Sequence, residues 1–246
     1  MESPSEQALA HSLESEPSEY HYQEIAELRV SCERILEGLH DRIDQGSYDL
    51  IVGDDASGRI PTLILRNVIK EIYHDKGFQI PYTAFVAGSR FIHEPRIPEK
   101  TEQLTQRIKK VGEWHDGSNR ALIVTDTIGG GLSLKPLYDA LRENNIEYDI
   151  ATLSLAHMPE MTDEMRERVE QSMGGKLYFG HTGVPRIYGR HDLAGVEKTP
   201  EEVFARPHRT SSTKIARADV KKLSTELVDW YHQRYPDDIH GGREAS

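Results

Sequence analysis

The residue types best suited to chemistry lie in one short segment in the middle of the chain. An apolar run, Ala121-Leu122-Ile123-Val124, leads into Thr125-Asp126-Thr127-Ile128 and then Gly129-Gly130-Gly131-Leu132-Ser133. Three successive glycines let the backbone approach an anion without side-chain clashes. Their N–H groups, with the N–H groups and dipole of a following helix, would attract a phosphate. The segment therefore indicates a phosphate site, in which Ser133 caps the helix or donates its hydroxyl to a phosphate oxygen.

A second polar segment, Asp54-Asp55-Ala56-Ser57-Gly58-Arg59, follows the apolar run at residues 50–52. Its small residues allow a tight, strained turn whose N–H groups face a ligand. The guanidinium of Arg59 could donate paired hydrogen bonds to phosphate oxygens. Asp54 and Asp55 would repel a bare diphosphate, so they fit such a site only with Mg²⁺, or facing ribose or an amine. The alternative is that Asp and Ser side chains cap a helix beginning near Ile60, with Arg59 in solvent.

The elements that must position these segments alternate along the chain. The apolar spacing predicts helices over 20–44, 60–73, 134–144, 161–173 and 216–235, and strands over 48–52, 80–86, 121–124, 148–155 and 176–179. A long charged segment, 88–117, interrupts this order with one short helix near 102–110. Such alternation implies a mostly parallel sheet with helices on both faces. Ligands bind at the carboxyl ends of such strands, where both turns must lie.

Composition narrows the class of protein. The net charge of −11 argues against a nucleic-acid partner, because nucleic-acid binders present a basic surface. A local basic patch is interpreted as a solvated face; it contains Arg206, His208, Arg209, Lys214 and Arg217.

The single cysteine, Cys32, excludes an internal disulfide and is expected to be a buried small hydrophobe. No apolar run is long enough to span a bilayer and the first residues do not resemble a signal peptide, so we expect a cytoplasmic protein with no membrane partner.

The chain divides into four parts. Residues 1–19 and 236–246 are polar tails that are expected to be disordered, since they offer little apolar surface to bury. Residues 20–158 form the predicted α/β core. Residues 159–235 are expected to add a hood and a C-terminal helical extension to the same domain, with residues 180–190 as the hood candidate.

Both polar segments resemble ligand-binding motifs of the type I phosphoribosyltransferases. The segment 121–133 is similar to the family's phosphoribosyl-diphosphate motif, which has four apolar residues, two acidic residues, an apolar pair, small residues, Gly, and Ser or Thr. The segment 52–59 resembles the family's diphosphate loop, and the two occur in the family's order. The resemblance covers about residues 48–155. It implies a type I phosphoribosyltransferase-like α/β fold, with a central mostly parallel sheet flanked by helices and a C-terminal hood.

The resemblance also implies roles for individual residues. Asp126 would be the catalytic residue that holds the ribose hydroxyls, and Thr125 stands where the family has its first acidic residue. The ribose and 5-phosphate contacts would be Thr125, Asp126, Thr127, Gly129, Gly130, Gly131 and Ser133. The diphosphate contacts would be Asp54, Asp55, Ala56, Ser57, Gly58 and Arg59, with Asp54 and Asp55 also facing Mg²⁺. Segment 88–117 would be a mobile loop that contacts the ligand through Ser89 and Arg90.

These roles predict an enzyme of nucleotide metabolism. It would be a Mg²⁺-dependent phosphoribosyltransferase, a glycosyltransferase of pentosyl groups. It would bind 5-phosphoribosyl diphosphate, release diphosphate and transfer the phosphoribosyl group to an unidentified acceptor, and it could form a homodimer. Thr125 favours one alternative, a non-catalytic protein that senses a phosphoribosyl compound or nucleotide. The other alternative is a different α/β phosphate-binding enzyme, such as a hydrolase.

Overall fold

Five parallel strands form the centre of the protein. The computed structural model describes residues 19–54, 56, 58–86, 102–106, 108–110, 120–129, 131–156, 162–197 and 206–236. Within them the strands are β1 (Leu50–Asp54), β2 (Tyr82–Val86), β3 (Arg120–Ile128), β4 (Glu147–Leu155) and β5 (Lys176–Thr182). They form one sheet in the order β2-β1-β3-β4-β5, and every neighbouring pair is parallel. The predicted α/β class and parallel sheet are therefore confirmed.

Helices flank this sheet. They are α1 (Gln23–Ala26), α2 (Arg29–Asp44), α3 (Arg59–Lys76), α4 (Lys135–Glu143), α5 (Asp163–Met173), α6 (His191–Ala194) and α7 (Ser211–Arg234). Residues 102–106 and 108–110 are helical, as predicted, and Leu132–Leu134 form a 3-10 turn. Two short antiparallel strands, β6 (Val196–Glu197) and β7 (Arg206–Pro207), precede α7. In the described part of the chain, no helix has the length and apolar character needed to cross a membrane.

The helices differ most from the sequence prediction in two places. The predicted helix over 20–44 is divided between Ala26 and Arg29. The last helix begins at Ser211 rather than near residue 216, because Thr210 and Thr213 form a reciprocal capping box. The predicted tails lie outside the described residues, except for Glu19 and Pro236.

The two faces of the sheet carry separate apolar cores. One core joins α2, α3 and α7 to the sheet; its members include Leu36, Leu65, Leu122, Val124, Leu153 and Leu223. The other joins the helical residues near 104–108, α4 and α5; its members include Leu104, Ile123, Leu137, Leu141, Ile150 and Met173. Because both faces are covered, the two central strands begin with continuous apolar runs, at residues 50–52 and 121–124, rather than with alternating patterns. Cys32 is buried in the first core, and this burial raises the pKa of its thiol to about 12, as expected for a structural residue.

The chain order creates a crevice at one point of the sheet. From β1 the chain crosses through α3 to β2 at one edge, and from β3 it crosses through α4 to β4 on the other side. Since α3 and α4 contribute to different cores, the two crossovers lie on opposite faces. Beyond the carboxyl ends of β1 and β3 the flanking connections therefore diverge, which is where open α/β sheets bind ligands.

Candidate functional site

The two polar segments meet at the carboxyl ends of β1 and β3. Gly53 is in register with Val124, so Asp54 ends β1 beside the point where Thr125 and Asp126 continue β3. All three polar residues are buried, with 4 %, 2 % and 3 % of their surfaces exposed. The Thr125 hydroxyl donates to the Asp126 Oδ1 atom at 3.5 Å. The fold thus brings the two predicted ligand-binding segments together at adjacent strand ends.

The turn between β1 and α3 has an unusual backbone at Ala56. This residue has a φ of +67°, in the left-handed region that costs a non-glycine residue about 1–2 kcal/mol. The turn is closed by hydrogen bonds from the Gly58 N–H to the Asp54 carbonyl at 2.9 Å and from the Arg59 N–H to the Ala56 carbonyl at 3.4 Å. The strained turn expected from the small residues is present at Ala56. Asp55 and Ser57 lie outside the described residues.

Gly58 is the residue that lets this turn lie against the sheet. A Cβ atom built on it would be 2.5 Å from the Asp54 carbonyl oxygen and 2.8 Å from that of Val124. Gly58, which has no side chain, is also the N-cap of α3. The alternative interpretation, in which Asp and Ser side chains cap this helix, stays a prediction, because Asp55 and Ser57 lie outside the described residues. The small residue is required because two backbone segments pack against it.

Arg59 is fixed rather than extended into solvent. It is half-buried, and its guanidinium carbon lies 4.2 Å from the centre of the Phe85 ring on β2. Stacking of this kind holds the planar guanidinium in one orientation and leaves its edge available for hydrogen bonding. The alternative of a solvated Arg59 is wrong, and the predicted contact with a phosphate oxygen stays a prediction.

The strand before the Gly-rich turn is longer than predicted. β3 continues from Val124 through Ile128, because β4 extends to Leu155 and pairs with it along this length. Thr127, predicted to lie in the turn, is in register with Ser154, and their hydroxyl oxygens are 3.0 Å apart. The turn itself therefore begins at Gly129.

The Gly-rich turn leads into α4 through the 3-10 residues. Gly131 has a φ of +72°, and a Cβ atom on Gly129 would meet open space. The N-cap of α4 is Leu134, so the expected capping role of Ser133 is wrong. Ser133 is half-buried, and its hydroxyl makes no hydrogen bond to the part of the chain that the structure describes. Its alternative role, donating to a phosphate, stays a prediction.

Sequence reasoning missed a polar layer on the next two strands. Thr152 lies beside Thr125, and its hydroxyl donates to the Ser154 carbonyl at 2.9 Å. His181, at the end of β5, is in register with Ser154, and its Nδ1 atom is 2.7 Å from the Ser31 hydroxyl of α2. Burial, and secondarily the charge of Arg34, lowers the pKa of His181. Only His181 had a sequence signal, since it lies within the hood candidate.

One of the two predicted magnesium ligands is described. Asp54 supplies a carboxylate at the end of β1, whereas Asp55 lies outside the described residues. Mg²⁺ is often held by one protein carboxylate and takes its remaining ligands from phosphate and water, so Asp54 fits it. Within the described ranges, no group of three or more His, Cys, Asp or Glu side chains could hold a metal on its own.

Several predicted contacts lie outside the described residues. They are Asp55, Ser57, Gly130 and the predicted mobile-loop contacts Ser89 and Arg90. No protein-family model matches the chain, and no curated protein sequence matches it. The arrangement at the strand ends is therefore what supports a functional proposal.

Proposed function

We propose that this protein binds 5-phosphoribosyl diphosphate in the crevice beyond β1 and β3 and transfers its phosphoribosyl group to an acceptor. The observation that carries the proposal is the position of the two polar segments. They follow the two strands between which the crossovers diverge, and they resemble the diphosphate and phosphoribosyl motifs of one family. A phosphorylated sugar with a diphosphate group is a ligand that would use both segments.

The Gly-rich turn would hold the 5-phosphate. The open space beside Gly129 and the positive φ of Gly131 suit a backbone that wraps an anion. The first N–H groups of α4 and the helix dipole add favourable electrostatics. The hydroxyls of Thr127 and Ser133 would donate to phosphate oxygens.

Asp126 would hold the ribose and offset the positive charge that develops at the ribosyl centre as diphosphate leaves. A carboxylate that is 3 % exposed acts through a lower effective dielectric than one in water, so its effect on a nearby cation is larger. Its position on a strand fixes its direction before the ligand arrives. The leaving group is already good, so positioning and electrostatics are the main tasks of the protein.

The β1–α3 turn would hold the diphosphate. The backbone between Asp54 and Gly58 is tightly folded, and Arg59 presents a guanidinium that Phe85 orients. Mg²⁺, when bound with the carboxylate of Asp54, would neutralise part of the diphosphate charge.

Isothermal titration with 5-phosphoribosyl diphosphate and Mg²⁺ tests the ligand. We expect micromolar binding that is reduced at least about tenfold in Asp126→Asn, because the amide keeps the shape and removes the charge. Asp229→Asn is the control, since it makes the same substitution at an exposed position of α7. Absence of binding by the folded wild-type protein would refute the proposal.

A second function is favoured by Thr125. It takes the place of the first acidic residue in the motif, and its hydroxyl is directed to Asp126 at 3.5 Å. The site thus has one carboxylate fewer to stabilise a ribosyl cation, which suits a protein that senses a phosphoribosyl compound without transferring it. Diphosphate release over an acceptor screen distinguishes the two functions. Binding without release by the wild-type protein, together with release by Thr125→Asp, would favour the sensor.

A further inference from the structure

A cleft lies at the amino ends of β3, β4 and β5. Because all strands of the sheet are parallel, this is the edge opposite the crevice. The cleft has a volume of about 520 Å³, which is in the range of pockets for small molecules. The last turns of α2 and α4 and the starts of the three strands supply its charged residues. They are Arg42, Arg120, Arg142, Glu147, Asp149 and Lys176.

Buried Asp149 holds two of these arginines. Its side chain is 1 % exposed, and its Oδ2 atom lies 3.4 Å from Arg120 Nη1 and 3.8 Å from Arg42 Nε. The same oxygen accepts a hydrogen bond from the Tyr48 hydroxyl at 2.9 Å, whereas Oδ1 has no hydrogen-bond partner in the described part of the chain. A buried ion pair adds little net stability, because desolvation of its charges offsets their attraction. The role that fits Asp149 is to position guanidinium groups along the cleft.

A separate set of contacts holds Arg142. Its Nη2 atom donates to the Met173 carbonyl at 2.8 Å, and its guanidinium carbon lies 5.9 Å from the centre of the Tyr148 ring. A Cβ atom on Gly174 would overlap this guanidinium, so the glycine leaves room for it. Arg142 Nη1 is 3.8 Å from Asp139 Oδ1, and 47 % of the Arg142 side chain is exposed. Arg142 is therefore anchored at one nitrogen and accessible from the cleft.

Positive charge exceeds negative charge along the cleft. Its lining has four cations and two carboxylates, and both carboxylates contact Arg120. Lys176 is in register with Asp149, so its side chain emerges on the same face of the sheet as that carboxylate. An excess of two positive charges matches a phosphate monoester, which carries about −1.5 to −2 charges near neutral pH.

We propose that this cleft binds a small phosphate monoester of a sugar or nucleoside. Arginines along the cleft hold the phosphate, since guanidinium groups donate paired hydrogen bonds to phosphate oxygens. A phosphate group fills only part of the volume, and the organic part of the ligand takes the rest. The site goes beyond the proposed function and shares no residue with it. Six residues of β3 separate Arg120 from Asp126, which places the two sites about 20 Å apart.

Isothermal titration with AMP, ribose 5-phosphate and adenosine tests the cleft. All titrations use Asp126→Asn protein, so that the crevice contributes as little as possible. Arg42→Gln and Arg142→Gln are then added singly. Arg168→Gln is the matched control, because it removes the same charge from an exposed position of α5 outside the cleft.

We expect both phosphate esters to bind and adenosine not to bind. Their affinity should fall about tenfold or more when Arg42 or Arg142 is replaced and should be unchanged in the Arg168→Gln control. A higher affinity for AMP than for ribose 5-phosphate would identify a nucleoside ligand, and equal affinities would identify a sugar phosphate. A loss in one arginine variant alone would support the site and place the phosphate at that arginine.

Three outcomes would overturn the site. They are no binding of either ester by the folded protein, equal affinity with and without both arginines, and an equal loss in Arg168→Gln, which would reflect net charge only. The proposed function is tested separately, by titration of 5-phosphoribosyl diphosphate and Mg²⁺ into the protein with Asp126 intact. Circular dichroism and urea unfolding would check that each variant is folded.

Discussion

Gly58 lies so close to β3 that a Cβ atom on it would be 2.8 Å from the Val124 carbonyl oxygen. This contact joins the β1–α3 turn to the strand that carries Asp126. It fixes the distance between the two predicted ligand-binding segments. The backbones of the two segments are thereby held in a fixed relative position, which the proposed ligand would require.

Gly58→Ala is expected to destabilise the protein by about 1–3 kcal/mol, because the new methyl group would collide with two backbone carbonyl groups that cannot both move. Gly129→Ala is the control, since its Cβ atom would meet open space. Urea unfolding followed by circular dichroism measures both. Equal midpoints for the two variants would show that the turn does not pack against β3 as described.

Ala56→Gly tests the strain in the turn. Relief of the left-handed conformation favours glycine by about 1–2 kcal/mol. Loss of a buried methyl group lowers the free energy of unfolding by about 0.8 kcal/mol. The greater freedom of glycine in the unfolded chain lowers it by a further amount of about 0.4–1 kcal/mol. We therefore expect a change in the free energy of unfolding close to zero.

Ala194→Gly is the matched variant for this test. Ala194 belongs to the same small apolar cluster as Ala56 and is fully buried, but it lies in α6 without a positive φ. It loses the methyl group without relief of strain, so about 1–2 kcal/mol of destabilisation is expected. If both variants lost the same stability in urea unfolding, Ala56 would not be strained.

The parallel sheet was predictable because strands covered on both faces are continuous apolar runs. Residues 50–52 and 121–124 show this pattern. The extent of β3 was not predictable. Thr125 to Thr127 are polar and resemble a turn, yet they pair with β4, and the Thr127 hydroxyl oxygen lies 3.0 Å from that of Ser154. Tertiary pairing overrides local composition here.

The parts of the site that depend on distant residues were also missed. Ser31 and His181 are 150 positions apart, and nothing local marks them as partners. The Gly-rich turn and Arg59 could be predicted as ligand-binding residues because their pattern is local in the sequence.

Thr125→Asp tests the departure from the family's acidic pair. A second carboxylate beside buried Asp126 would repel it. We therefore expect the free energy of unfolding to fall by about 1–3 kcal/mol at pH 7. The loss should be smaller near pH 5, since repulsion raises the pKa of the pair and one carboxyl then binds a proton. Added Mg²⁺ should restore part of the stability.

Thr125→Asn is the uncharged control for that variant. It places an amide of similar size at the same position and should show neither the pH dependence nor the effect of Mg²⁺. Urea unfolding at pH 5 and pH 7, with and without Mg²⁺, measures both variants. A pH-independent loss in Thr125→Asp would indicate steric rather than electrostatic destabilisation.

His181 should make stability depend on pH. Its pKa in the folded protein lies below its ordinary value of 6.5, mainly because of burial, so the unfolded chain binds the proton more readily. The full stability is therefore present above about pH 6.5 and is lost as the pH falls through the folded pKa.

His181→Asn removes the titration and can still hydrogen-bond Ser31, so it should flatten this part of the profile of stability against pH. Ser31→Ala should lower stability at every pH and retain the slope. Urea unfolding between pH 5 and pH 7.5 measures all three proteins, and an unchanged slope in His181→Asn would assign the dependence to other groups.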